Sequence, residues 1–505
     1  MQSEVIEGFM LSPQQRSLWS EQQEGQDYRA LGAILIEGEL RSDLLKRAVH
    51  SIIDRHEILR TTFQQSPGMT FPLQVVAEEG AQPSWDESNL EDLGSKEQGE
   101  IVAEIFSREG AHRFDASVGP LVRAALLRLD ARRHILALNI SPLCADSVTL
   151  DNIFSQLAAV YDSLAHGGEL TAEHIQYADY ALWQHELTEG EDVEAGLAYW
   201  RGLEFEPLLA QPVPFERHLA DASAAAGFDS VAVELEPRAV GGLKTAAQQY
   251  DLSTGLFLLA CWQTLIGRLT GQQDIVVGIH SDGRKYEDLR GACGPYAKQL
   301  PLVIHLKDRS RFSDILAQLK RASAEADEWQ EYFNLEAVAA GSPQSPFLPL
   351  GFEFDEQPPP FSADGLNWIN YGRDVRMSRH KLKLRCTATA DGSLRAALDF
   401  DPRHVTRDSA VRLAAHFSAL ASNAAAQPTA RIAELELIDE GARRQLLSEL
   451  NQTSAQFGEA RCFHEIFAEQ AAQTPERIAL VCEDRQLTYA ELNRKSNQLA
   501  RYLRG

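Results

Sequence analysis

The chain has 505 residues, with 73 acidic against 48 basic side chains and a formal net charge of -25. Its 44% hydrophobic and 8% aromatic content is that of a folded globular protein too long for one core, so two or three domains are expected. No basic stripe is available to neutralise phosphates, which argues against nucleic-acid binding; the acidity reads as a solvated surface.

The start, Met1 to Gly8, lacks the basic and apolar regions of a signal peptide, and no run of 18 apolar residues follows. A cytoplasmic protein with no membrane span is expected. Residues 40–63 read as one helix, with Leu44, Leu45, Ala48, Ile52 and Ile53 at helical spacing. Two strands, Leu121–Leu129 and His134–Ile140, flank the polar turn Asp130–Arg133. A helix follows from about Ser147 or Thr149 to His166, stopped by Gly167 and Gly168. Residues 171–202 look helical, with Trp183 and Trp200 as packing residues, and a proline-bearing link near Pro207–Pro214 joins two halves. A helix over Ser253–Leu269 precedes the buried-strand run Ile275–Ile279. Pro358–Pro360 mark a loop, residues 405–426 a last amphipathic helix, and residues 427–460 a linker. The pattern is α/β in two halves. The six cysteines lie far apart with no Cys-x-x-Cys, so neither a disulfide framework nor a zinc site is indicated, and the 14 histidines show no metal-ligand spacing.

Several segments, taken in order, resemble the condensation domains of nonribosomal peptide synthetases: Leu11–Trp19, Arg55–Phe63, Phe114-Asp115 with Gly119–Arg123, Tyr177–Trp183 and Gly294–Leu302. That family joins two carrier-bound aminoacyl groups and carries His-His-x-x-x-Asp-Gly at the position where this chain reads Ser141, Pro142, Leu143, Cys144, Ala145, Asp146, Ser147. Only the aspartate matches. Pro142 stands in place of the histidine that handles the amine proton, and proline has no titratable group, so no catalytic residue is assigned. A second departure is Lys298-Gln299, where the family has Asn-Thr.

The resemblance implies an α/β fold of two chloramphenicol-acetyltransferase-like lobes, residues 1–175 and 176–440, forming a V-shaped pseudo-dimer around a tunnel for carrier-bound pantetheine arms. It implies a structural salt bridge between Asp146 and Arg284. Residues 441–460 would link to a second resemblance over 461–505. There Phe463–Phe467, Thr474–Leu480 and Leu487–Leu492 look like the start of an adenylation domain, whose phosphate loop, catalytic lysine and substrate pocket would follow. The polypeptide is therefore not expected to adenylate alone.

Each candidate residue has a plain reading beside the sharp one. Cys144 is a nucleophile only if a base or cation lies near; otherwise it is a small buried side chain. Ser141 bonds nearby backbone, and Ser147 caps the following helix. His56 packs or hydrogen-bonds, His280 could face the tunnel, and Lys298 is either solvated or meets an acidic ligand. The degenerate motif and its place before an adenylation domain resemble interface-type members of the family. These recruit a tailoring enzyme in trans, such as an iron- and 2-oxoglutarate-dependent β-hydroxylase acting on a carrier-bound amino acid, often aspartate in siderophores. The expected partners are that enzyme, peptidyl carrier proteins and the adenylation domain in cis. No cofactor is expected within this chain, and phosphopantetheine arms would be visitors. Two alternatives stand: amide or ester formation by an atypical site without histidines, and a structural spacer for the adenylation domain.

Overall fold

The computed structural model describes residues 8–24, 28–65, 67–168, 174–187, 190, 193–217, 227–307, 309–338, 346–438, 440–449 and 461–505. It divides into two units, Met1–Asp439 and Glu440–Gly505.

The larger unit holds two lobes, each built on a six-stranded sheet. The first sheet runs Phe361–Ala363, Leu366–Arg376, Arg29–Glu37, Arg133–Ile140, Val122–Arg128, Ser84–Asn89. The strand Arg133–Ile140 is apolar on both faces because both are covered. Leu136, Leu138 and Ile140 enter the main core with the helices Ser42–Arg55 and Ser147–His166, while Ile135 and Ala137 join a smaller core with Val102 and Ile105 of the helix Ser95–Gly110. The period of two is that of a pleated strand.

The second sheet runs Lys298–His305, Asp274–Ser281, Leu350–Glu356, Leu382–Ala388, Leu394–Phe400, Asp229–Val233. One face packs on the helices Pro237–Gln249, Thr254–Thr270, Phe312–Trp329 and Arg407–Ala426. The helix Thr254–Thr270 is buried over most of its length, capped by Ser253 and ended by Gly271 in the left-handed region.

The lobes are not consecutive stretches of chain. The strand Leu366–Arg376 pairs antiparallel with Arg29–Glu37 in the first sheet. Tyr177, Tyr180, Leu289, Ala292, Cys293 and Tyr296 also bury their side chains in the first core. A boundary at 175/176 therefore cuts through the first lobe, because a contiguous split overlooks the chain's return.

Other elements differ from expectation. Residues 40–63 are not one helix: the helix ends at Arg55, His56 is extended (φ -109°), and a 3-10 turn Glu57–Arg60 leads into the strand Thr61–Gln64. Within 171–202 the described residues hold two helices, Tyr177–Leu187 and Val193–Gly202; residues 171–173, 188–189 and 191–192 lie outside the described part. Near the proline-bearing link, a 3-10 turn Glu206–Ala210 packs Leu208 and Leu209 on Phe205, Val276 and Leu348. Ile432 and Leu435 are buried in the second core, so 427–438 is packed chain rather than linker. Residues 440–449 are helical, and 450–460 fall outside the described residues.

The smaller unit has a helix Phe463–Gln473, a hairpin Ile478–Cys482/Arg485–Thr488 and a helix Tyr489–Arg504. A reciprocal cap between Thr488 and Glu491 starts the last helix. Among its described residues only Ala471 is buried.

Candidate functional site: the lobe junction

The segment Ser141–Ser147 leaves the strand Arg133–Ile140 and enters the helix Ser147–His166, and every one of its residues is buried. Asp146 caps that helix: its Oδ1 accepts from the Thr149 N–H at 2.7 Å. The cap expected of Ser147 is thus Asp146's, and Ser147 Oγ is buried with no hydrogen-bond partner. A carboxylate at this position also meets the positive end of the helix dipole.

Arg284 crosses from the other lobe. Its Nη1 and Nη2 donate to Asp146 Oδ2 and Oδ1 at 2.9 and 3.0 Å, and Nη2 also reaches Thr149 Oγ1 at 2.9 Å. The Ala297 N–H donates to Asp146 Oδ2 at 3.0 Å, and the guanidinium lies 4.5 Å from the centre of the Tyr296 ring. Both side chains are almost fully buried. Burial opposes ionisation of Asp146, but the Arg284 charge and its hydrogen bonds outweigh it and hold the carboxyl below its ordinary range. The pair is a fork-to-fork tie with no proton to transfer.

The matched segments converge here. Gln15 donates to Leu143 O and to Gln74 Oε1, both at 3.0 Å, while Ser12 Oγ bonds the Tyr177 hydroxyl at 2.7 Å and Tyr177 donates to Pro295 O at 3.0 Å. Their residue types are those of a buried hydrogen-bond frame around the junction.

None of the sequence candidates is set up as a nucleophile. Cys144 is completely buried, and burial pushes its thiol far up, away from thiolate. Cys144 N and Leu143 N donate toward Ser141, to its carbonyl and its hydroxyl. His56 Nε2 contacts Gln156 Oε1 at 2.6 Å, its ring stacks on His174, and burial lowers its pKa to about 4. Lys298 is neither solvated nor free for a ligand: buried Glu331 Oε2 lies 2.5 Å from its Nζ. His280 Nδ1 lies 3.4 Å from Gln299 Nε2, and its Nε2 is buried with no partner.

Sequence reasoning missed a second tie between the lobes. Arg373, on the strand Leu366–Arg376, pairs with Asp151 on the helix Ser147–His166 and with Asp355 of the second sheet at 3.2 Å. Glu353, two residues before Asp355, pairs with Lys383 on the next strand. Nothing in the local pattern flagged these residues, since charges in strands read as solvent-facing; only the pairing Arg373↔Gly32 places the guanidinium against the helix. Also at the lobe junction is a cavity of about 280 Å³, lined by Arg16, His185, Lys298, Phe347, Arg379 and His380 among others. None of Ser141–Ser147 lines it. Asp162, His166 and Asp364 bring three ligand-type atoms together on the surface, but Arg41 already neutralises Asp364 at 3.2 Å. Among the described residues, no single helix is long and apolar enough to cross a membrane.

Two lobes tied through this aspartate define a condensation-type fold, and the chain belongs to the condensation-domain family of nonribosomal peptide synthetases. The family model "Condensation domain" matches residues 6–447, and "AMP-binding enzyme" matches 467–505. Among curated relatives, surfactin synthase subunit 2 of Bacillus subtilis (strain 168) is 30% identical over all of this chain and 14% of its own length. Tyrocidine synthase 3 of Brevibacillus parabrevis is 29% identical over 99% of this chain and 8% of its own. The chain thus spans a small part of these relatives. Among solved structures, the first condensation domain of the calcium-dependent antibiotic synthetase superposes with a TM-score of 0.71 at 20% identity, covering 86% of this chain and 100% of that one. The X-domain from teicoplanin biosynthesis does so with 0.71 at 21% identity, covering 86% and 99%. A complex of that X-domain with OxyB gives 0.69 at 21% identity, covering 86% and 97%.

Proposed function

We propose that this condensation-like unit forms no peptide bond and serves as a platform that brings a trans-acting tailoring enzyme to a carrier-bound substrate, an amino-acid β-hydroxylase being the partner class. One observation carries the reading: the positions of the family's histidine pair hold Ser141 and Pro142 in a buried segment whose one acid is locked by Arg284. A fold maintained without a proton acceptor is economical if its surface is what is used. The X-domain, solved in complex with OxyB, is a fold relative that supports such a role. Peptidyl carrier proteins and an adenylation domain in cis complete the proposed setting. The 280 Å³ cavity is the proposed seat of a visiting phosphopantetheine arm.

The test has two arms. Carrier proteins loaded with donor and acceptor should give condensation at background, since general-base assistance is worth roughly 10²–10⁴ in rate. Turnover near that of an intact family member would establish the histidine-free enzyme instead. Calorimetric titration with the tailoring enzyme encoded beside the synthetase should show binding; its absence, even with a loaded carrier present, favours the spacer.

A further inference from the structure

A strip of partly exposed apolar and aromatic residues lies on the surface of the larger unit, and none of its side chains lines the cavity. Leu182 and Tyr286 are 48% and 46% exposed, and the ring of Trp183, next to Leu182 in the chain, lies edge-on to Tyr286 at 5.6 Å. Tyr332, near enough to Tyr286 to act on its hydroxyl, lies beside Trp329 at 6.0 Å, and Trp329 stacks on Tyr199 at 6.2 Å. The parts are pinned together: Lys285 Nζ donates to Glu328 O at 2.9 Å, and Gly196 leaves just enough room for the Tyr332 ring. None of these six lines the 280 Å³ cavity, so the feature is a face rather than a pocket.

The elements that carry the strip are rich in carboxylates. Asp179, Glu186, Asp282, Glu287, Asp288 and Glu328 are exposed on the same elements. Of the cations on these elements, Arg290 lies 3.9 Å from Glu287, Arg321 lies 3.7 Å from Glu325, Lys320 lies 2.6 Å from Asp251, Lys285 is turned to the backbone of Glu328, and Arg201 is exposed on the helix that carries Tyr199. Burial first, then Glu325 and Glu328, push the Tyr199 hydroxyl up to about 12. Aromatic faces and carboxylates both attract guanidinium and ammonium groups, and aromatic anchors inside a charged rim are the make-up of a protein interface. A second copy of this chain, at -25, is a poor occupant because the two acidic surfaces repel.

We infer that the strip Leu182–Trp183–Tyr286–Tyr332–Trp329–Tyr199 is a docking surface for a partner protein presenting an arginine- or lysine-rich face, and that this partner is the tailoring enzyme of the platform reading, on which the inference rests. Tyr286 is the central anchor, and Glu287 and Asp288 steer the approach.

The experiment is calorimetric titration of the whole chain with the purified tailoring enzyme encoded beside the synthetase, at low and high salt. Wild type is compared with Tyr286→Ala, with the double variant Glu287→Lys/Asp288→Lys, and with Val411→Ser as a control at an exposed site on the helix Arg407–Ala426. Tyr286→Ala should weaken binding about tenfold or more. The charge-reversed variant should bind weakly and lose the salt dependence, and Val411→Ser should match wild type. The substituted side chains are exposed, and unchanged thermal unfolding verifies folding. If wild type does not bind, the platform reading and this surface both fall. If wild type binds and all variants match it, the surface alone falls. A dimer in sedimentation that Tyr286→Ala disperses would assign the face to a second copy and overturn the basic-partner assignment.

Discussion

Asp146 does three things with one carboxylate: it caps a helix, anchors Arg284, and accepts the Ala297 N–H. Removing its charge leaves a buried guanidinium unpaired, so Asp146→Asn should cost about 3–5 kcal/mol, read by urea unfolding. Because its folded pKa is depressed, its contribution is present above the unfolded value of about 3.9 and is lost as pH falls through the folded one. His56 shapes a different limb. Burial lowers its pKa to about 4, so between about 6.5 and 4 the unfolded chain binds the extra proton and stability falls as pH falls. His56→Gln should flatten that part of a stability–pH curve. Pro142's chemistry and the burial of Cys144 were legible from residue type; the Lys298–Glu331 pairing was not, because it joins residues 33 positions apart through the fold.

At the scale of elements, the segment from Asp282 to Lys298 delivers Arg284, and two glycines let it do so. Gly283 and Gly294 both have positive φ, 68° and 148°. A Cβ at Gly294 would lie 2.0 Å from the Tyr177 ring, and at Gly283 1.9 Å from Tyr296 O. Gly294→Ala should therefore destabilise by about 2 kcal/mol or more, as a lowered melting temperature. Arg373→Leu should leave Asp151 and Asp355 without their cation, for up to about 3 kcal/mol, and speed amide exchange in the helix Ser147–His166 and the strand Leu350–Glu356. Helices with strong periodicity, such as Thr254–Thr270 and Arg407–Ala426, were readable to within two residues. The run 40–63 was not, because its apolar spacing continues past Arg55 while the backbone extends at His56.

For the whole molecule, the two units differ in their means of stability. The larger has two extensive cores; the smaller leaves Phe463, Tyr502 and Leu503 at 85%, 83% and 74% exposure. So little burial does not offset the entropy of ordering a chain. An isolated peptide of residues 461–505 should show no cooperative melt by circular dichroism, whereas the full chain should melt cooperatively. Installing histidines at Ser141 and Pro142 should leave condensation at background, because that segment is buried and lines no part of the cavity.

By itself the sequence determined the α/β class and the family, since these rest on residue identity in short ordered segments, and the family resemblance pointed to Arg284 as the partner of Asp146, which the structure shows. Tertiary structure alone decided which chain builds which lobe, the Arg373 tie, and the aromatic strip on its carboxylate-rich elements. Each of those joins residues far apart in the chain, and no local periodicity records a contact that forms only when a strand returns to a sheet begun roughly 330 residues earlier, as Leu366–Arg376 does on Arg29–Glu37.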